Sequence, residues 1–167
     1  CGENGAGKST LMKILGGVYQ PDAGEILVDG QPVQINNVTD AMKLGIAFIH
    51  QELNVLTNLD VAANVFLGRE PLHTPLKLID RKKIHADTEP FLKRLGLNIS
   101  TYERLDRLSI AQQQMVEIAK ALSLNARVII MDEPTSSLTL QETERLLALV
   151  KELRQYGVSV IYISHRL

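Results

Sequence analysis

Gly2-Glu3-Asn4-Gly5-Ala6-Gly7-Lys8-Ser9 opens the chain and decides how the rest is read. The pattern is a glycine, four residues, then Gly-Lys-Ser, followed at once by a helix-forming run over 9–15 that stops at Gly16-Gly17. Glycines at such spacing let the backbone turn tightly and come close to phosphate oxygens. Successive N–H groups and the start of the following helix then face the anion. In a P-loop of this kind Lys8 reaches the β- and γ-phosphates of a nucleotide, and the Ser9 hydroxyl binds Mg²⁺. The motif predicts an α/β layer with a bound nucleotide at the head of its first helix.

Working outward, Pro21-Asp22-Ala23-Gly24 is turn chemistry. Residues 25–28, then Asp29-Gly30, then 32–35 predict a β-hairpin around an Asp-Gly turn. Thr39 is the expected cap of a short helix ending near Gly45, and Ile46 to Ile49 is a buried strand. Between 52 and 107 no strong strand is expected. Helices are predicted over 58–67, stopped at Gly68, and over 81–95 behind an Asp80 cap, with Ile84, Leu92 and Leu95 on one face and Pro90 inside. Residues 68–75 read as a loop. Ser109 and Gln112 form a capping box that opens a helix reaching Leu122, and Thr139 with Glu142 form a second one. The second opens a helix with Leu146, Val150 and Leu153 on one stripe, closed by Gly157. Strands are predicted at Val128 to Met131 and at Val158 to Ile163. The sum is an α/β layer interrupted by a mostly helical insertion.

The strand from Val128 delivers two carboxylates, Asp132 and Glu133, at its C-terminal end, where ligands bind in α/β sheets. Asp132 suits the Mg²⁺ shell through water. Glu133 suits a base for an attacking water. Ser109 and the free N–H groups at its helix start form a second candidate anion site, although on these residues alone simple N-capping is the better explanation of that serine. Gln51, after the strand at 46–49, has an amide oxygen able to ligate Mg²⁺. His165, after the last strand, could contact a γ-phosphate, but an isolated histidine at a strand end carries little information.

Composition removes several classes. The 167 residues are 45% hydrophobic and 22% charged, enough to bury a real core. Eighteen Lys and Arg against 19 Asp and Glu leave a net charge of −1, which gives no support to nucleic-acid binding by bulk charge. Eleven glycines and six prolines are too few for a disordered or collagenous chain. The single cysteine, Cys1, excludes an internal disulfide framework and fits a reducing compartment. The longest apolar run, Leu146 to Val150, is far short of the roughly 20 residues of a spanning helix. His50, His73 and His85 have no spacing that makes a metal site with Cys1. Arg81-Lys82-Lys83 reads as a solvated helix face. The chain opens inside the P-loop and closes straight after a strand-like run, so an internal piece of a longer protein is expected.

These pieces in this order resemble the ATP-binding-cassette (ABC) ATPases. The P-loop (Gly2 to Ser9) is followed by a Q-loop glutamine (Gln51), a helical subdomain, and a signature motif (Leu108-Ser109-Ile110-Ala111-Gln112). Then come a Walker B strand with its glutamate (Val128 to Glu133), a D-loop (Ser136-Ser137-Leu138-Thr139) and a switch histidine (His165). Within that superfamily, Ile49-His50-Gln51-Glu52-Leu53, Phe66-Leu67-Gly68-Arg69-Glu70 and Gln112 to Lys120 look like the sugar-import type with two fused cassettes, the ribose/galactose type. They look like the first of the two.

The resemblance implies a P-loop NTPase (RecA-like) core with an antiparallel β-hairpin region and an inserted α-helical subdomain. It divides the chain into a P-loop half (1–51), a helical subdomain (52–115) and a Walker B to switch-histidine half (116–167). A further strand, ahead of the P-loop, is expected beside the strand ending at His165. Implied ligands are ATP, cradled by Gly2, Asn4, Gly5, Ala6, Gly7, Lys8, Ser9 and Thr10, and Mg²⁺, held by Ser9, Gln51 and Asp132. Glu133, His165 and Gln51 are the implied catalytic set, and Ser109 points towards a partner's ATP. Implied partners are a second cassette, membrane permease subunits and, indirectly, a periplasmic sugar-binding protein. The place implied is the cytoplasmic face of the bacterial inner membrane, peripherally bound. A soluble cassette acting on ribosomes or DNA shares every ATP motif, but the segment 52–107 lacks the concentration of Lys and Arg that it would favour. A P-loop kinase would need neither the signature nor Glu133. The usual signature has two glycines after the serine, where this chain has Ile110 and Ala111. Their Cβ atoms restrict close approach to a phosphate. One competent site, built on Lys8, Glu133 and His165, and one weak site are therefore expected.

Overall fold

The computed structural model describes residues 7–50, 53–73, 78–132, 134 and 138–163. Its centre is a parallel sheet of three described strands in the order β3 (Ile46–Ile49), β6 (Val128–Asp132), β7 (Ser159–Ile163). Ile46 pairs with Val128, and Val128 with Ser159. β6 lies between the other two, and its Ile129, Ile130 and Met131 are fully buried. A strand covered on both faces reads as an unbroken apolar run, which is what Val128 to Met131 is.

Alternation along these strands separates two cores. Ala47, Ile49, Ile129 and Met131 face one side. There they meet α3 (Val61–Val65), α4 (Arg81–Arg94), α5 (Ile110–Ser123) and α6 (Leu140–Gln155). Ile46 and Ile130 face the other side, against Met12 and Leu15 of α1 (Lys8–Leu15) and Ala41 of α2 (Val38–Lys43). Val33 and Val28 of the hairpin β1 (Ile26–Val28) and β2 (Gln31–Val33) complete that second core. The fold is thus an α/β sheet with an antiparallel hairpin on one side and a helical insertion on the other.

Local chemistry accounts for most element ends. α1 stops in a Schellman motif: Gly17 N–H donates to Ile14 O at 3.0 Å and Val18 N–H to Lys13 O at 2.8 Å. Gly17 has φ +75°, and a Cβ there would fall 2.3 Å from the Asn37 carbonyl oxygen, so both conformation and space demand glycine. Asp29 (φ 52°) and Gly30 (φ 76°) form the two-residue turn with positive φ at both positions that suits hairpin twist. Ser109 and Thr139 cap α5 and α6 in capping boxes, and Asp80 caps α4 through the Lys83 N–H. Arg81 is not merely solvated: its guanidinium is 2.8 Å from Asp60.

Three expectations need correction. α2 is capped by Asn37, not Thr39; the Asn37 side chain accepts from Asp40 N–H at 3.0 Å and donates to the Asp40 carboxylate at 3.1 Å. That reciprocal pair outcompetes a cap two residues later, which would forfeit about half a turn of helix. The helix predicted over 58–67 is confined to Val61–Val65 behind an Asp60 cap. Residues 57 and 59 are taken instead by backbone pairing, their carbonyls accepting from Asp106 N–H at 3.0 Å and Leu105 N–H at 3.1 Å. The stretch 68–75 is also not all loop: within it β4 (Leu72–His73) pairs antiparallel with β5 (Leu78–Ile79), which follows it. Among the described residues no helix is long and apolar enough to cross a membrane.

Candidate functional site

The head of α1 is built to receive an anion. Gly7, its N-cap, has φ 75° and ψ 10°, a left-handed conformation that aims the following peptide groups along one direction. Gly7 offers no side-chain cap and the first turn carries no acid. The first N–H groups of a helix have no intrahelical acceptor, and the dipole there favours negative charge. Lys8, Ser9 and Thr10 occupy that first turn.

Sheet topology brings a carboxylate to the same place. β6 ends at Asp132, and the Ser9 Oγ stands 3.5 Å from Asp132 Oδ1 across 123 residues of sequence. A hydroxyl and a carboxylate are both hard oxygen donors, the set that Mg²⁺ prefers over nitrogen or sulfur. These residues therefore fit a magnesium ion at the start of a phosphate-binding helix. Gln51, Glu133 and His165 follow the C-terminal ends of β3, β6 and β7 in sequence; they lie outside the described residues, as do Gly2, Asn4, Gly5 and Ala6.

His50, which spacing gave no role, belongs to this edge. Its ring contacts Phe48 with centroids 4.5 Å apart. Burial, reinforced by Lys13, lowers its pKa against the opposing pull of Asp132. The only signal in the sequence was its position directly before Gln51.

Ser109 sits elsewhere. Its Oγ accepts from Gln112 N–H at 3.3 Å, while its own N–H donates to Gln112 Oε1 at 2.9 Å. The hydroxyl proton is still available to a ligand. Ser109 and Ala111 line a groove with Leu97, Met115, Glu142 and Arg145, and Ile110 is exposed at the helix start.

Comparison with known proteins places this geometry. The sequence model of the ABC transporter family matches residues 1–136. The chain belongs to the ABC transporter family. It is 58% identical over all 167 residues to a putative ribose/galactose/methyl galactoside import ATP-binding protein of Burkholderia ambifaria, covering 32% of that protein. To ribose import ATP-binding protein RbsA 2 of Streptomyces coelicolor it is 55% identical, over 99% of this chain and 32% of that one. The chain thus spans about a third of the length of the curated relatives it matches. Among solved structures, the ADP conformation of an ATP-binding cassette from an ABC transporter superposes with TM-score 0.84 at 26% identity, over 99% of this chain and 68% of that one. The cbiO1 subunit of a Clostridium perfringens ABC transporter complex gives TM-score 0.79 at 30% identity, over 98% of this chain and 64% of its own.

Two further residues of this ABC cassette stood within family-like stretches of the sequence but were given no role there. Arg69 ties two helix C-termini together. Its guanidinium donates to Val65 O at 2.8 Å at the end of α3, and to Ser123 O at 3.3 Å and Ser123 Oγ at 2.7 Å at the end of α5. Glu117, on α5, is 7% exposed, and burial pushes its carboxyl up to about 7 against the opposing Asn54 N–H and Lys120. His50, Lys120 and Asn54 line the same small cavity as Glu117. Only an acid set between Val116 and Ile118 on an apolar helix stripe could have marked it.

Proposed function

We propose that this chain binds and hydrolyses ATP to power import of a monosaccharide through a membrane permease. The observation that carries the reading is the meeting of Ser9 and Asp132 at the head of the P-loop helix. A phosphate cradle and a hard-cation site share that point. The sugar-import part rests on the two relatives above, whose names describe ribose or galactose import ATP-binding proteins.

In this reading the loop of Gly2 and Asn4 to Thr10 holds the phosphates through backbone N–H groups, with Lys8 on the β- and γ-oxygens. Ser9, Gln51 and Asp132, the last through water, would hold Mg²⁺, which neutralises phosphate charge when bound. Glu133 takes the proton of the attacking water, and His165 holds the γ-phosphate by hydrogen bond. Catalysis of this type is chiefly positioning and charge stabilisation. The division into residues 1–51, 52–115 and 116–167 is part of the same reading. So is the pairing with a second cassette, whose signature completes this P-loop while Ser109 serves the partner's ATP. Permease subunits, a periplasmic sugar-binding protein upstream of them, and the cytoplasmic face of the inner membrane complete the assignment.

Gentle affinity isolation of the intact protein from its own cells tests the importer claim. Permease chains in the detergent-solubilised fraction are expected. Ribosomal or DNA-bound partners without a membrane chain would sink it and leave the ATP site standing. In the same protein, Glu133→Gln is expected to abolish most turnover with ATP binding kept, and Ala111→Gly to leave turnover near the parent's. The reverse pattern would overturn the assignment of a single competent site.

A further inference from the structure

Glu117 raises a physical question, since a buried carboxyl that shares its cavity wall with Ala47, Ile49 and Ala121 is costly unless it holds something. Its Oε1 accepts the backbone N–H of Asn54 at 2.9 Å. Its Oε2 is buried with no hydrogen-bond partner among the described residues. Asn54 lies three residues after Gln51 in the chain. Leu56, two residues further, is held by buried Asn64 of α3: Oδ1 accepts the Leu56 N–H at 2.8 Å and Nδ2 donates to its carbonyl at 3.0 Å. Thr57 and Leu59 offer their carbonyls to Asp106 and Leu105, in the turn just before Ser109. Residues 54–59 are therefore fastened to α3, to α5 and to the turn at 105–107, and among the described residues Glu117 of α5 is the fastening nearest to Gln51 in the chain.

We propose that Glu117 is a positioning residue for ATP hydrolysis: it pins Asn54, and so the segment leading away from Gln51, to the helix that starts at Ser109. The inference rests on the ATPase reading for Gln51 and Ser109. α5 is a continuous rod from its Ser109 cap to Glu117, eight residues or about 12 Å along its axis. A shift at the exit of the Q-loop then reaches the signature end of α5 without slack. Glu117 itself touches no nucleotide, and its effect passes through one backbone hydrogen bond.

Two substitutions separate that bond from packing. Glu117→Gln keeps a carbonyl acceptor in place. Glu117→Leu fills the same volume without one and removes a buried acid. In the intact protein, Glu117→Leu is expected to lower kcat for ATP about tenfold with KM changed less than about twofold, while Glu117→Gln stays within about twofold of the parent. Hydrogen exchange at residues 53–56 is expected to quicken about tenfold in Glu117→Leu alone, a readout independent of turnover. Parent-like kcat and exchange in Glu117→Leu would overturn the inference, as would equal loss in both variants. If the parent itself turned over no ATP, the ATPase reading would fall and this inference with it; an active parent with an indifferent Glu117→Leu removes only the latter.

Discussion

Ser9 Oγ and Asp132 Oδ1 face each other at 3.5 Å, joining the start of α1 to the end of β6. Neither residue is near the other in sequence, and neither alone makes a cation site. Together they set two hard oxygen donors beside a helix N-terminus, a place where phosphate and divalent metal can be bound at once.

If the two act as one unit, their removal is not additive. Ser9→Ala and Asp132→Asn in the intact protein are each expected to cut ATP turnover by about a hundredfold or more, with a higher Mg²⁺ requirement. The double variant should be no slower than the worse single. Steady-state hydrolysis over a Mg²⁺ titration checks this; strictly multiplicative losses would show two independent roles.

Arg69 joins the C-termini of α3 and α5 through Val65 and Ser123, and stacks 5.3 Å over the Phe66 ring. Cations at helix C-termini are favourable, and charge-assisted hydrogen bonds exceed neutral ones. Arg69→Ala is expected to weaken this junction by about 1–2 kcal/mol, with Arg69→Lys recovering only part because a lysine cannot reach both helices in a fork. Local hydrogen exchange at Phe66 and Leu124 measures it, and unchanged protection in Arg69→Ala would refute it.

Glu117 gives stability a direction with pH. Its folded-state pKa is raised from 4.5 to about 7. The folded protein therefore holds a proton that the unfolded chain has already released between those values. The associated stabilisation is complete below about pH 4.5 and is lost as pH rises to about 7, at most about 3 kcal/mol in all. Burial lowers the pKa of His50 and His85, so their contributions run the opposite way, falling as pH drops below 6.5. The difference between parent and Glu117→Gln in denaturant midpoint across pH 5 to about 7.5 isolates the acid. The parent's midpoint is expected to fall relative to that of Glu117→Gln as pH rises, and a difference constant with pH would contradict the buried carboxyl.

Much of this protein was legible residue by residue because the physics involved is local. The Gly16-Gly17 stop, the Asp29-Gly30 hairpin turn, both capping boxes and the apolar run at 128–131 each depend on a few neighbours, and each stands as read. Where two local solutions competed, sequence alone chose wrongly: Asn37 and Thr39 are both good caps, and the reciprocal Asp40 pair decided between them. The helix expected over 58–67 likewise starts only at Val61, behind Asp60, because residues 57 and 59 were taken by partners more than 40 positions away. The P-loop pattern predicts a phosphate site from eight residues. That Ser9 meets Asp132, that Glu117 is buried against Asn54, and that Arg69 bridges two helices were decided only by tertiary structure. Parallel strands bring distant chain ends to one edge, and a side chain's burial and partners are set by what packs over it rather than by its neighbours in sequence.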